Sequence, residues 1–303
     1  CQYANAADLF ADAVGSATRT VERVYANWYL AQAREQLRQW DKAAEAYGAI
    51  ADGAPKSRLA LDAAGRRGMA LAQAGKTADA EKVAAKLGEQ KRTATDARAA
   101  AINAAIAFTA KDVGKLKEQS GRALFSQTDE PQAWQHFQQW RADALRTLGD
   151  TQAAITVYRS MDAGATDPAR KAAVLLGIAL CRIGSDKNAA LMDLIRIDLL
   201  PYGTPEQRTE ARFHAGKLLW EDAQAQKDAK TKTELERTAR LMLAAAAGNA
   251  LVGDDFKPKA DAAALLKQLP PDPDAPATEA AAPENELDED GGKKPAEAAP
   301  KTP

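Results

Sequence analysis

The sequence predicts an all-α protein, an α-solenoid of antiparallel helix pairs, and three observations predict it. The 303 residues are alanine-rich, 46% apolar and 27% charged, with a mean hydropathy of −0.44. No stretch alternates apolar and polar with a period of two, whereas apolar residues recur at three and four. A unit of about 37 residues also repeats along most of the chain. A shift of that length superposes Tyr3 on Trp40, Ala6 on Ala43 and Phe10 on Tyr47. A chain this long is better served by stacked pairs than by one central core.

The opening stretch, residues 1–22, reads as the second helix of a repeat, with Ala6 and Phe10 on one face. The array proper is expected over 23–248, about six helix pairs. Its clearest unit is Asn27 to Pro55. There Leu30 and Ala31 lie in the first helix, Ala43, Tyr47 and Ile50 share one face of the second, and Pro55 stops the unit. Ala31 and Ala43 leave room for the helices to cross, where a larger residue would cost about 1–3 kcal/mol.

The next unit runs from about Leu61 to Arg92, with Gly68 at the small position, Leu71 beside it and a turn at Ala74-Gly75-Lys76. Ala80, Ala84 and Leu87 face inward. The unit from Arg98 to about Thr128 is weaker. Ile102, Ile106 and Phe108 mark its first helix, Lys111-Asp112 its turn, and Leu116 and Ala123 its second. Then come Trp134, Phe137, Trp140 and Leu145, a turn at Gly149-Asp150, and Ala154 with Tyr158 and Met161. The sixth unit, Ala169 to Pro201, has Leu176-Gly177 and a turn at Gly184. The seventh opens on Thr204 as N-cap and Pro205 in the first turn. It continues through Ala215-Gly216 and reaches a polar run, AQAQKDAKTKTE, expected to be a long loop before a helix from Leu235 to Ala247. Residues 249–269 are expected to hold a capping helix from Pro258. The tail, 270–303, has nine acids, three lysines and one large apolar residue, Leu287. It cannot bury enough surface to offset its chain entropy and is expected to be disordered.

Leu30-Ala31, Ala43-x3-Tyr47 and Pro55 resemble the tetratricopeptide repeat, whose signature is W-x2-L-G-x2-Y, A-x3-F, then P. Leu176-Gly177 with Pro201 matches it again. Asn27 and Arg34 depart from the Trp and Tyr positions. The spacing near 37 residues is similar to that of bacterial cell-envelope proteins of this family. The resemblance implies a right-handed superhelix acting as an adaptor in the periplasm or cell envelope, with the cytoplasm as the alternative. It implies a groove lined by the first helices. Carried over by register, the groove positions are Tyr25, Trp28, Gln32, Gln36, Met69, Gln73, Ile102 and Ile106. His136, Gln139, Asp143, Arg146, Lys171, Ile178, Arg182, Phe213, Lys217 and Trp220 complete them. Trp28, Gln32 and Met69 stand where a carboxylate clamp would need Lys, Asn or Arg, so none is expected. The ligand implied is a peptide or helix of a partner protein. A second reading makes the chain the regulatory or recruiting region of a larger enzyme or secretion machine.

Composition limits the other classes. The net charge is −1 and the body carries only about +5, which does not argue for nucleic acid. The longest apolar stretch, Ala172 to Cys181, is far short of the roughly 20 residues a membrane helix needs. Membrane association is expected only if Cys1 bears lipid. That is one of two readings of Cys1, the other being a truncation point. A Cys1–Cys181 bridge would join repeats far apart and is excluded. Cys181 reads as a buried, inert thiol. The two histidines, His136 and His214, sit on different repeats and read as solvated helix residues. A metal or nucleophilic centre needs converging partners. No catalytic residue, metal site or cofactor is therefore predicted. The Trp134, Phe137, Trp140 stripe reads first as packing between units and second as an anchor for a partner.

Overall fold

The computed structural model describes residues 2–162, 168–199 and 203–270. An opening helix α1 (Gln2–Ser16) is followed by α2 (Thr20–Gln36) with α3 (Trp40–Gly53) and α4 (Ala60–Gln73) with α5 (Thr77–Gly88). Then come α6 (Thr93–Thr109) with α7 (Val113–Arg122) and α8 (Pro131–Thr147) with α9 (Thr151–Asp162). Two further pairs, α10 (Pro168–Arg182) with α11 (Lys187–Leu199) and α12 (Pro205–Ala225) with α13 (Ala229–Ala247), lead to α14 (Lys257–Leu266). The described residues are all-α, with no strand. Cys1, the Pro201 terminator and the tail after Pro270 lie outside the described residues. The chain divides into Cys1–Leu269 and Pro270–Pro303.

The turns within four pairs are built alike. Arg38, Gly75, Lys111 and Gly149 each have positive φ, between 55° and 87°. In each, the next N–H reaches back five residues: Gln39 to Arg34, Lys76 to Leu71, Asp112 to Ala107 and Asp150 to Leu145, all at 2.9 Å. These are Schellman caps, which satisfy the last carbonyls of the first helix. The fourth turn thus centres on Lys111, one residue before the position that even spacing suggests. The second helices α7, α9 and α11 then start on a side-chain cap. Asp112 accepts from Lys115 N, Asp150 from Ala153 N and Asp186 from Ala189 N.

Thr204 accepts from Gln207 N while the Gln207 side chain accepts from Thr204 N, and Pro205 sits in the first turn. The polar run after Trp220 is not a long loop. α12 continues to Ala225 and α13 starts at Ala229, with Asp228 capping Thr231 N. Ala, Gln and Lys are good helix formers, so a helix needs no apolar face there.

Each helix packs on its neighbours in sequence. The buried side chains form five adjoining clusters along the chain instead of one centre. Tyr47, Ile50, Tyr158 and Leu194 are wholly buried, each large apolar side chain contributing about 1.5–3 kcal/mol. The small residues mark close approaches. A Cβ on Gly68 would stand 2.3 Å from Ile102 Cδ1, so Gly68 serves the seam between α4 and α6. On Gly177 it would stand 2.2 Å from the Tyr158 ring, and on Gly216 2.7 Å from Leu243 Cγ. The aromatic stripe is packing: Phe137 is buried against Phe125 at 5.1 Å and Trp140 at 5.8 Å, and Trp140 meets Phe108 at 6.1 Å.

Candidate binding face

Polar side chains of the first helices gather in two places, around Arg98 and Arg66 and around Arg146. In the first, a polar network crosses from helix to helix. Arg98 of α6 is the hub. Its Nε donates to Asp62 Oδ1 of α4 at 3.0 Å, Nη1 to Ala94 O at 2.8 Å and Nη2 to Glu130 Oε1 at 2.6 Å. The guanidinium also lies over Phe125 at 5.3 Å. Gly65 leaves space for the Arg98 stem, since a Cβ there would sit 3.0 Å from Arg98 Cγ.

Arg66 of α4 does the same toward α2 and α3. Its Nη1 lies 3.5 Å from Glu35 Oε2 and donates to Tyr47 Oη at 3.3 Å, with its plane over Trp28 at 4.8 Å. His136 of α8 closes the network, Nε2 lying 3.7 Å from Glu35 Oε2. Burial pulls the Glu35 carboxyl up, yet His136, Arg66 and Tyr47 together hold it below the usual range. His136 is pushed down, first by burial and then by Arg66. A small cavity of about 20 Å³ lies among Asp62, Arg66, Arg98 and His136.

Farther along, α8, α10 and α12 leave a cavity of about 510 Å³. Arg146, Thr151, Cys181, Glu210 and His214 line it, with Leu180 and Ile183 as apolar wall and Gly184-Ser185 at the rim. Asp143 stands behind Arg146. It accepts from Tyr158 Oη at 2.6 Å and Gln139 Nε2 at 3.0 Å, and lies 3.5 Å from Arg146 Nη2. Burial raises the Glu210 carboxyl, an effect that Arg146 offsets only in part. Burial, then Lys217 and Arg146, push His214 down to about 4, so its imidazole is neutral near pH 7. Burial raises the Cys181 thiol to about 11, which makes it a poor nucleophile.

The groove positions read from register separate into three groups. Trp28, Met69, Ile102 and Ile178 are buried in the core and present no open surface. Tyr25, Gln32, Gln73 and Ile106 are half-buried, and Gln36, Lys171 and Lys217 are exposed. Arg182 is held by Asp193 of α11 at 2.6 Å, while Phe213 and Trp220 pack toward α13 and α14. The structure brings Arg146 to the cavity, with Asp143 and Gln139 joined to one another behind it. It adds Cys181, Glu210 and His214, which the register omitted. The signal for the last two was Glu210, His214 and Lys217 at i, i+4 and i+7, a polar stripe on one side of α12. Both histidines are half-buried: the His136 side chain is 34% exposed, and His214 lines the cavity. Among the described residues no group of His, Cys, Asp and Glu is placed to hold a metal, and no helix is long and apolar enough to cross a membrane.

Comparison with family models, with curated proteins and with solved structures returned no match.

Proposed function

We propose that the chain is a non-catalytic scaffold, a right-handed solenoid of tetratricopeptide-like pairs that holds a segment of a partner protein against its first helices. One observation carries this reading. At α8, α10 and α12 a cavity of about 510 Å³ combines apolar walls with polar groups that lack protein partners. A volume of that size falls in the range of about 300–1,000 Å³ usual for ligand sites. Sequential packing of the pairs and the recurrent caps support the solenoid. The repeat length near 37 residues supports a cell-envelope setting within the same proposal.

Selection of displayed random peptides on the full chain tests it. Leu180→Trp fills the cavity from its apolar wall and should abolish enrichment, with circular dichroism unchanged. Enrichment of the same peptides on both proteins, or of none on either, would overturn the reading.

A further inference from the structure

The groups that reach the cavity differ in what they have left to offer. Arg146 lines the cavity with its Nη2 3.5 Å from Asp143 Oδ1, and its Nε is buried without a hydrogen-bond partner. Glu210 and His214 make no hydrogen bond or ion pair with any described residue, and their polar atoms open into the cavity. On α12 the unspent capacity is of one kind. Two carboxylate oxygens and the lone pair of a neutral imidazole are acceptors in want of N–H donors. Leu180, Ile183 and the Cys181 side chain supply an apolar wall beside them.

An alkyl stem ending in a positive charge fits both features, because the stem packs on the wall while the head reaches the carboxylate. The surrounding charges balance. Arg38, Arg146 and Lys217 stand against Asp143, Asp261 and Glu210 itself. No net positive field opposes a guest cation.

We propose that the cavity recognises an alkylammonium group, namely a lysine side chain of a partner protein, with Glu210 as counter-ion and His214 as second acceptor. The proposal rests on this cavity being where the partner segment binds. The raised Glu210 carboxyl agrees with it, since Arg146 and Arg38 offset its burial only in part and a bound ammonium would add a cation. The volume of about 510 Å³ leaves room for backbone on either side of one lysine.

The chain has two histidines, so the ring signal of His214 is assigned in proton NMR spectra by comparison with His214→Gln. The full chain is titrated with an acetylated, amidated pentapeptide Gly-Leu-Lys-Leu-Gly, with its norleucine counterpart, and with 1,5-diaminopentane. The lysine peptide should shift the His214 ring saturably. The norleucine peptide should bind at least about tenfold more weakly, and Glu210→Gln should weaken the lysine peptide by about the same factor. Proton release on binding at acid pH, absent in Glu210→Gln, should accompany it. Equal binding of the norleucine peptide, unchanged binding by a folded Glu210→Gln, or no shift with any probe would overturn the proposal. Diamine that binds tighter than the peptide overturns a protein source for the ammonium. If peptide selection fails while the lysine peptide still binds through Glu210, the scaffold reading falls and the cation site stands.

Discussion

The two polar clusters, around Arg98 with Arg66 and around Arg146, use the same residue types and reach opposite ends. Both hold arginine, carboxylates, a tyrosine hydroxyl and one histidine. Around Arg98 and Arg66 every charge has a partner on another helix, and the cavity among them is about 20 Å³. Around Arg146 one carboxyl and the histidine stay unmatched and a larger cavity remains. The glycines explain the difference. Gly65 and Gly68 lie on the seam between first helices α4 and α6, which close on the Arg98 stem and Ile102. Gly177 and Gly216 instead receive Tyr158 and Leu243 from second helices. Close approach is thus spent on the seams with α9 and α13. The first helices α8, α10 and α12 meet one another only slightly. Small residues set where a repeat protein is tight, and the helix they face decides whether its inner side is sealed.

The largest test of this contrast is Arg98→Ala. It leaves Asp62 and Glu130 without their shared cation beside a cavity of about 20 Å³. Breaking a buried pair costs about 3–5 kcal/mol, to be read in urea unfolding. A loss near that of an exposed arginine would mean the network is incidental.

Acid should separate the clusters next. Both histidines are depressed in the folded chain, so each contributes stability present above the unfolded value of about 6.5 and lost as pH falls toward the folded one. For His214 the loss should run between pH 6.5 and about 4. It should amount to roughly 3 kcal/mol, and His214→Gln should abolish it. His136 has Glu35 at 3.7 Å to accept its charge, so His136→Gln should flatten the same profile less. Urea unfolding from pH 7.5 to 4 measures both, and a steeper dependence at His136 would reverse the comparison.

The smallest effect belongs to the turns, which are alike beside both clusters. Lys111 carries φ 57° where the equivalent turns at 75 and 149 have glycine. Lys111→Gly should raise stability by about 1 kcal/mol by removing the left-handed strain, seen as a higher Tm. A fall would show that the Lys111 side chain contributes more than its backbone costs.

Much of the architecture was legible in single residues. Thr204-Pro205 announced α12, Gly75 and Gly149 announced two caps, and Ala43 with Tyr47 announced a buried face. These signals are local, acting within one or two helical turns. Lys111 was less legible because a non-glycine residue in a left-handed turn carries no mark. The run before Leu235 misled because a polar stretch of good helix formers resembles a loop when only apolar periodicity is weighed.

The sequence by itself determined the helices, their order and most of their ends, since caps and periodicity are written in neighbouring residues. Only the tertiary structure decided that Trp28 and Met69 are core, that Arg98 spans three segments, and that Glu210 and His214 face a cavity beside Arg146. Those outcomes depend on which neighbour each small residue admits. That is a relation between helices tens of residues apart, and no local pattern encodes it.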